Sequence, residues 1–151
     1  MYGLVLALHS WIRWGAIIAG FGATLAALTD TSTGENSRAG RWGLFLMMAL
    51  DIQLLLGLLL YLVLSPFTAE ARQNFALAMR TPQLRFWAVE HITTMIVAVV
   101  LAHVGRVLAR TLKTPESRRL ALLVCFGIAT FAMLFGTPWP GLQNGRPLFR
   151  F

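Results

Sequence analysis

Charge is scarce in this chain, and lysine is almost missing: Lys113 is the only lysine among 13 basic residues. Charged residues make up 13% of the sequence, against about a quarter in a soluble domain. That shortfall excludes an ordinary water-soluble globule. The single cysteine, Cys125, lies inside an apolar run. It excludes an intrachain disulfide, says nothing of redox compartment, and reads as a small buried apolar side chain. There is no Gly-rich phosphate loop, no CxxCH haem attachment, no Ser-His-Asp arrangement and no set of ligands at zinc spacing. The sequence therefore carries no hydrolytic or transferase signature. It also shows no internal repeat and no low-complexity tract, and 151 residues leave no room for a second sizeable domain.

What the chain does have is apolar length. Hydrophobic residues reach 57%, and four runs are long enough to cross roughly 30 Å of hydrocarbon, which takes about 20 helical residues. They cover residues 3–28, 42–64, 84–110 and 117–136. Helix is the spanning form expected, because lipid offers no partner for unpaired backbone groups and four segments cannot close a barrel. The expectation is one transmembrane domain over 1–151: an all-α, integral membrane, four-helix up-and-down bundle with an irregular tail at 137–151. The first run has no positive n-region and carries His9 and Arg13 within it, so it reads as a retained helix rather than a cleaved signal. The net charge of +7 is a possible mark of nucleic-acid binding. Here the arginines sit at the ends of apolar runs instead, so the partner they imply is the lipid bilayer and its anionic headgroups, with no nucleic acid.

The punctuation between the runs agrees with this reading. "DTSTGENSRAG" is a polar turn. "SPFTAEARQNFALAMRTP" is weakly amphipathic in its middle and suits the interface, and it ends on a Thr81 N-cap with Pro82 at the first helical position. "TPES" repeats the Thr-Pro start. The Pro- and Gly-rich "GTPWPGLQNGRPLFRF" is expected to leave the membrane as an irregular segment. Arg38, Arg41, Arg106, Arg110, Lys113, Arg118 and Arg119 flank one side, and Arg72, Arg80, Arg85, Arg146 and Arg150 the other. This excess of seven over five points to both termini lying outside the cytoplasm. Trp11, Trp14, Trp87 and Trp139 would then form the outer aromatic belt and Trp42 the inner one.

A charge at the bilayer centre costs about 3 kcal/mol or more, so each ionisable group within the runs needs a reason. At about 1.5 Å rise per residue, His9 lies roughly 9 Å into the first helix and His91 roughly 10 Å into the third. In an up-and-down bundle these helices run the same way and are diagonal neighbours. Two imidazoles facing at one level suit a bis-histidine haem iron; hydrogen bonding to water, backbone or an acid is the plainer alternative. Below His9 come Ala16 and Gly20, and below His91 come Ala98, Ala102 and Gly105. These small residues admit either a flat macrocycle or close helix packing, and Gly15, Ala19, Ala23 and Ala27 form an adjacent small-residue stripe. Arg13 and Glu90 read as an ion pair across the same helices, with Arg13 on a haem propionate or quinone headgroup as the alternative. Asp51 is expected to pair with His103 or Arg106, as structural glue or as a proton or quinone site. His103 is rotated by about 120° from His91, so a second bis-histidine haem is not expected.

The segments "LHSWIRW", "LDIQLLLGLLLYLVLSP", "LRFWAVEH", "AHVGR" and "TPWP…GRPLF" together resemble a family of small four-helix bacterial membrane proteins commonly labelled cytochrome b-like. The resemblance covers most of the chain. It implies that His9 and His91 are axial ligands of a haem b in a multi-pass protein of the bacterial inner membrane. The role implied is membrane electron transfer; a quinone or quinol and a larger membrane or redox complex are the partners expected. Respiratory cytochrome b has two histidine pairs, where this sequence offers one. A cofactor-free accessory subunit of a larger membrane complex is the competing expectation.

Overall fold

The structure, a computed structural model, describes residues 1–30, 34 and 36–149. Arg150 and part of the first polar turn lie outside the described residues. Helices α1 (Tyr2–Thr29), α2 (Arg38–Leu59), α3 (Pro66–Gln73), α4 (Phe75–Arg80), α5 (Pro82–Arg85), α6 (His91–Thr111) and α7 (Pro115–Gly136) follow in order. A π-helical turn, Leu60–Leu64, extends α2, and another, Phe86–Glu90, joins α5 to α6. Four continuous helices, Tyr2–Thr29, Arg38–Leu64, Pro82–Thr111 and Pro115–Gly136, are long and apolar enough to cross a membrane. The chain is all-α, and the described residues contain no strand.

Capping explains why the helices start earlier than the apolar runs do. Ser37 Oγ accepts from the Gly40 amide at 3.0 Å, satisfying one of the four orphan donors at a helix start, so α2 begins at Arg38 rather than 42. Thr114 Oγ1 accepts from the Ser117 amide at 3.2 Å, with Pro115 at the first helical position. Thr81 does hold the N-cap position before Pro82, but its hydroxyl does not cap. It donates instead to the Leu77 carbonyl at 3.0 Å, at the end of α4. The amphipathic connection folds as α3 and α4, with Phe75 and Leu77 exposed. Ala71, Ala78, Leu84 and Ala88 form a small second core there.

α1 packs on α2 and α7, and α6 packs on α7 and α2, so α1 and α6 face each other across the diagonal. The main core is built on small residues. Ala19, Ala23 and Ala27 of the α1 stripe are buried, whereas Gly15 is exposed and nothing lies within 4 Å of where its Cβ would stand. Of the small residues below the histidines, Gly20, Ala98, Ala102 and Gly105 serve packing, while Ala16 also lines a cavity. Gly20 abuts Thr130 and Met133, and Gly105 abuts Cys125 and Phe126. Phe126 is fully buried. Its ring lies where a Cβ on Gly43 would be, 2.4 Å from that position, so the phenyl of α7 is clamped between the backbones of α2 and α6. Outward-facing Ile18, Leu25, Leu55, Phe131 and Phe135 are exposed, a surface that water would not tolerate at this extent and that bilayer contact suits.

The four spanning helices do not end level at the end carrying both chain termini. Gly20 of α1 meets Thr130 and Met133 of α7, so, counting about 1.5 Å per residue, α7 stops near the level of Gly15. The first turns of α1 reach past it, and so does the start of the Pro82–Thr111 helix. The tail fills this missing quarter. It is irregular in backbone and turns back over the end of the bundle, where its Leu148 carbonyl accepts from Arg13 at 2.9 Å and from Trp14 at 3.2 Å. Apolar rings hold it there, with Phe149 against Trp11 and Trp14.

Gly43→Ala is expected to lower stability by about 1–3 kcal/mol through overpacking against Phe126. Gly127→Ala, where the nearest atom to the new Cβ is Thr24 Cγ2 at 3.8 Å, is expected to be neutral or slightly stabilising, because alanine is the better helix former. Thermal unfolding of both variants in detergent checks this; equal midpoints would refute the clamp.

Candidate functional site

The ragged end of the bundle leaves a cavity lined by α1, α2, α6, the last residues of α7 and the tail. Most of the wall is apolar: Leu6, Ile17, Leu50, Leu54, Ile92, Met95 and Met133 among others. The polar groups are few, and both histidines are among them.

His9 and His91 face each other across the diagonal with ring centroids 6.4 Å apart and planes at 66°. Their contact depends on three local features. His91 is the first residue after the π turn Phe86–Glu90, a type of irregularity that re-aims side chains and recurs at functional sites. The end of α7 leaves carbonyls without helical partners, and the Gly136 carbonyl accepts from His91 Nδ1 at 2.8 Å. Because a carbonyl can only accept, that bond fixes the proton on Nδ1 and leaves the Nε2 lone pair available. Gly57 opens space beside His9: a Cβ there would stand 3.4 Å from His9 Cε1.

His9 is less settled. Its Nδ1 is buried with no hydrogen-bond partner, and so is the side-chain oxygen of Gln53 in the same cavity wall. A buried polar atom left unpaired costs about 1–3 kcal/mol, and two in one cavity mark a place where polar contacts are missing from the chain itself. Gln53 was not singled out from the sequence, although an amide two residues from Asp51 in an apolar run was the available signal.

The expected pair of Arg13 and Glu90 does not form. Glu90 Oε1 accepts from Arg85 Nε at 2.6 Å, with both side chains 45% exposed, and Glu90 is absent from the cavity wall. The π turn is the reason: its i→i+5 geometry sets residue 90 against residue 85 rather than across the bundle. Glu90 is therefore removed from the site. Arg13 lines the cavity and is tied to the tail through Leu148.

The second polar group resolves the choice left for Asp51. His103 Nε2 lies 3.5 Å from Asp51 Oδ1, and His103 Nδ1 donates to the Val99 carbonyl at 3.0 Å. Arg106 donates instead to the Gly40 carbonyl at 2.8 Å. Both members of the Asp51–His103 pair are 44% exposed on the outer face of the bundle. They bridge α2 and α6 away from the His9–His91 cavity, whose wall includes neither.

Arg146 is the other residue that sequence reading passed over. It enters the cavity wall from the tail, its guanidinium lying 4.7 Å from the Phe67 ring centre and 5.1 Å from that of Trp87. Trp87 in turn packs against His91, with centroids 5.5 Å apart. Among the described residues no group of three or more His, Cys, Asp or Glu side chains is arranged to hold a metal ion; the cavity wall includes two imidazoles, His9 and His91, and the thioethers of Met95 and Met133. The class that fold and site define is an all-α chain with four helices able to span a membrane and a diagonal histidine pair near one end. No known protein family, curated protein or solved structure matches the chain.

In a double-mutant cycle of Asp51→Ala and His103→Ala, the coupling energy is expected near 0.6 kcal/mol and no higher than about 1.7 kcal/mol, as for polar pairs between membrane helices. Unfolding of the four species in detergent measures it. Zero coupling would show that the pair gives no stability to the fold.

Proposed function

We propose that this chain is a membrane-embedded b-type haem protein with one bis-histidine haem, held by His9 and His91. The observation that carries the reading is the 6.4 Å between their ring centroids. Two imidazoles bound on opposite sides of one metal, at about 2.0 Å each, have ring centres about 6 Å apart, whereas van der Waals packing of two rings requires no such value. The donor set fits as well. The His91 bond to Gly136 is the carbonyl contact that ligating histidines make through their other nitrogen, fixing the tautomer and raising ligand basicity. The unpaired His9 nitrogen and the apolar walls also suit a flat, largely apolar group.

A haem bound there would supply a one-electron couple. The chain's own part would be to orient the two ligands and to keep water from the iron with Leu50, Leu54, Ile92 and Met95. Arg13 would set the local charge. Electrons would pass between a quinol in the lipid and a redox partner at the face carrying the termini. The resemblance to a bacterial membrane family supports an inner-membrane location, and the positive-inside count supports placing those termini in the periplasm.

The Asp51–His103 pair favours a second reading. Ionisable groups half exposed on a lipid-facing surface are costly, and cover by a larger complex removes that cost. In that reading the chain is a cofactor-free accessory subunit.

Oxidised and dithionite-reduced spectra of the protein, expressed with haem supplied and solubilised in mild detergent, separate the two. The haem reading expects a sharp reduced α-band, lost in His9→Ala and in His91→Ala, and reduced haem content in Gly57→Leu, whose side chain would press on His9. It expects Glu90→Gln to leave the spectrum unchanged. A low-spin spectrum retained in the double histidine variant sinks this reading, and colourless wild-type protein that co-purifies with a partner supports the other.

A further inference from the structure

The cavity has a charge asymmetry that its apolar walls do not explain. Among the described residues two guanidiniums line it, Arg13 and Arg146, and no aspartate or glutamate does. Both are bound to one short stretch of tail. Arg13 donates to the carbonyl of Leu148, two residues beyond Arg146. The tail segment that carries Arg146 is itself built to hold a shape. Gly141 has φ 89°, a conformation that favours glycine. The Gly145 amide donates to the Leu142 carbonyl at 2.8 Å, and a Cβ on Gly145 would lie 2.7 Å from the Trp139 carbonyl. The Trp139 indole donates to the Leu134 carbonyl at 2.8 Å, fastening the loop to the end of α7. The Arg146 amide then closes back on the Pro138 carbonyl at 3.1 Å.

The guanidinium so presented rests on the faces of Phe67 and Trp87 and has no hydrogen-bond acceptor among the described residues. A planar cation stacked on aromatic rings keeps its N–H edge unspent, and that edge matches a carboxylate in two-point fashion. From these observations we infer that Arg146, with Arg13, forms a carboxylate clamp at the tail edge of the cavity, selecting a flat apolar ligand that carries free carboxylates. The inference rests on the haem reading and deepens it: the group recognised is the propionate pair of the macrocycle. The tail acts as the strap that brings the clamp to the ligand.

The test uses full-length protein in detergent with two probes, haem b and its dimethyl ester, whose macrocycles are the same and whose carboxylates are blocked in the second. Wild type is expected to bind haem about tenfold or more tighter than the ester, the loss of one charge-assisted contact. Arg146→Gln is expected to bind the ester as wild type does while the preference for haem shrinks about tenfold. An unchanged preference in Arg146→Gln overturns the clamp and leaves the haem reading standing. Wild type that takes up neither macrocycle overturns both. If Arg146→Gln binds neither, Arg146→Lys decides: a preference kept at reduced size supports the clamp, and equal binding of the two macrocycles refutes it.

Discussion

The bond from His91 Nδ1–H to the Gly136 carbonyl joins the termination of one helix to the orientation of a side chain on another. A helix that stops inside a bundle leaves carbonyls that must find donors, and in hydrocarbon there is no water to supply them. α7 stops short of its neighbours, and the imidazole of α6 takes the exposed oxygen. The ring is thereby fixed in tautomer and orientation, 6.4 Å from that of His9 between centroids. The space that α7 fails to fill is the cavity, and the tail must turn back to close it. Had α7 run two turns further, the tail would have no void to cover. His91 would then face a helix wall.

Much of this was legible from the sequence, because the bilayer imposes simple lengths. Apolar runs of about 20 residues mark the four helices, and a constant rise along helices of equal direction puts His9 and His91 at one level. The alanines at 19, 23 and 27 were readable as a packing stripe for the same reason. Glu90 and the course of the tail escape the sequence for a shared cause: both lie where the backbone leaves the regular α-helix. The π turn at Phe86–Glu90 redirects Glu90 to Arg85, and no hydropathy pattern signals an i→i+5 turn. The tail was read by composition alone, and proline with glycine marks irregular chain without saying where it goes. Arg146 and Gln53 were passed over because one lay in that tail and the other is uncharged. Yet an amide with an unpaired oxygen in a closed wall is as informative as a charge.

The two polar centres answer differently to the cost of burial. His9 and His91 look inward, into a space bounded by Met95, Leu54 and Ile17, and any partner they take must come into the bundle. Asp51 and His103 look outward and satisfy each other across α2 and α6, the seam where the spanning helices pack least closely. Glue between helices accounts for the contact within that pair, but not for the half-exposed position of both members. The inward pair has no such account. An imidazole nitrogen without a partner does nothing for packing, and Gly57 at that level gives up side-chain contacts that a larger residue would make.

The near absence of lysine follows from the same economy of donors. At the end opposite the termini, Arg119 donates to the Ala27 and Leu28 carbonyls, Arg118 to the Leu112 carbonyl at 2.6 Å, and Arg106 to that of Gly40. Helix C-termini carry partial negative charge and orphan carbonyls together, as at Leu28 and Leu112, whereas Gly40 lies in the first turn of α2; a planar fork of five donors can serve two oxygens at once, as an ammonium point charge does not. At the end with the termini the fork is used differently. Arg85 is consumed by Glu90, and Arg72 donates to the Tyr61 carbonyl. Arg146 is laid on two aromatic rings, a placement that stabilises the cation without occupying its N–H groups. An arginine whose only purpose was to anchor the tail would gain more from one of the many carbonyls within the tail itself. Stacked as it is beside an apolar cavity, it is arranged for an acceptor that the described chain does not provide.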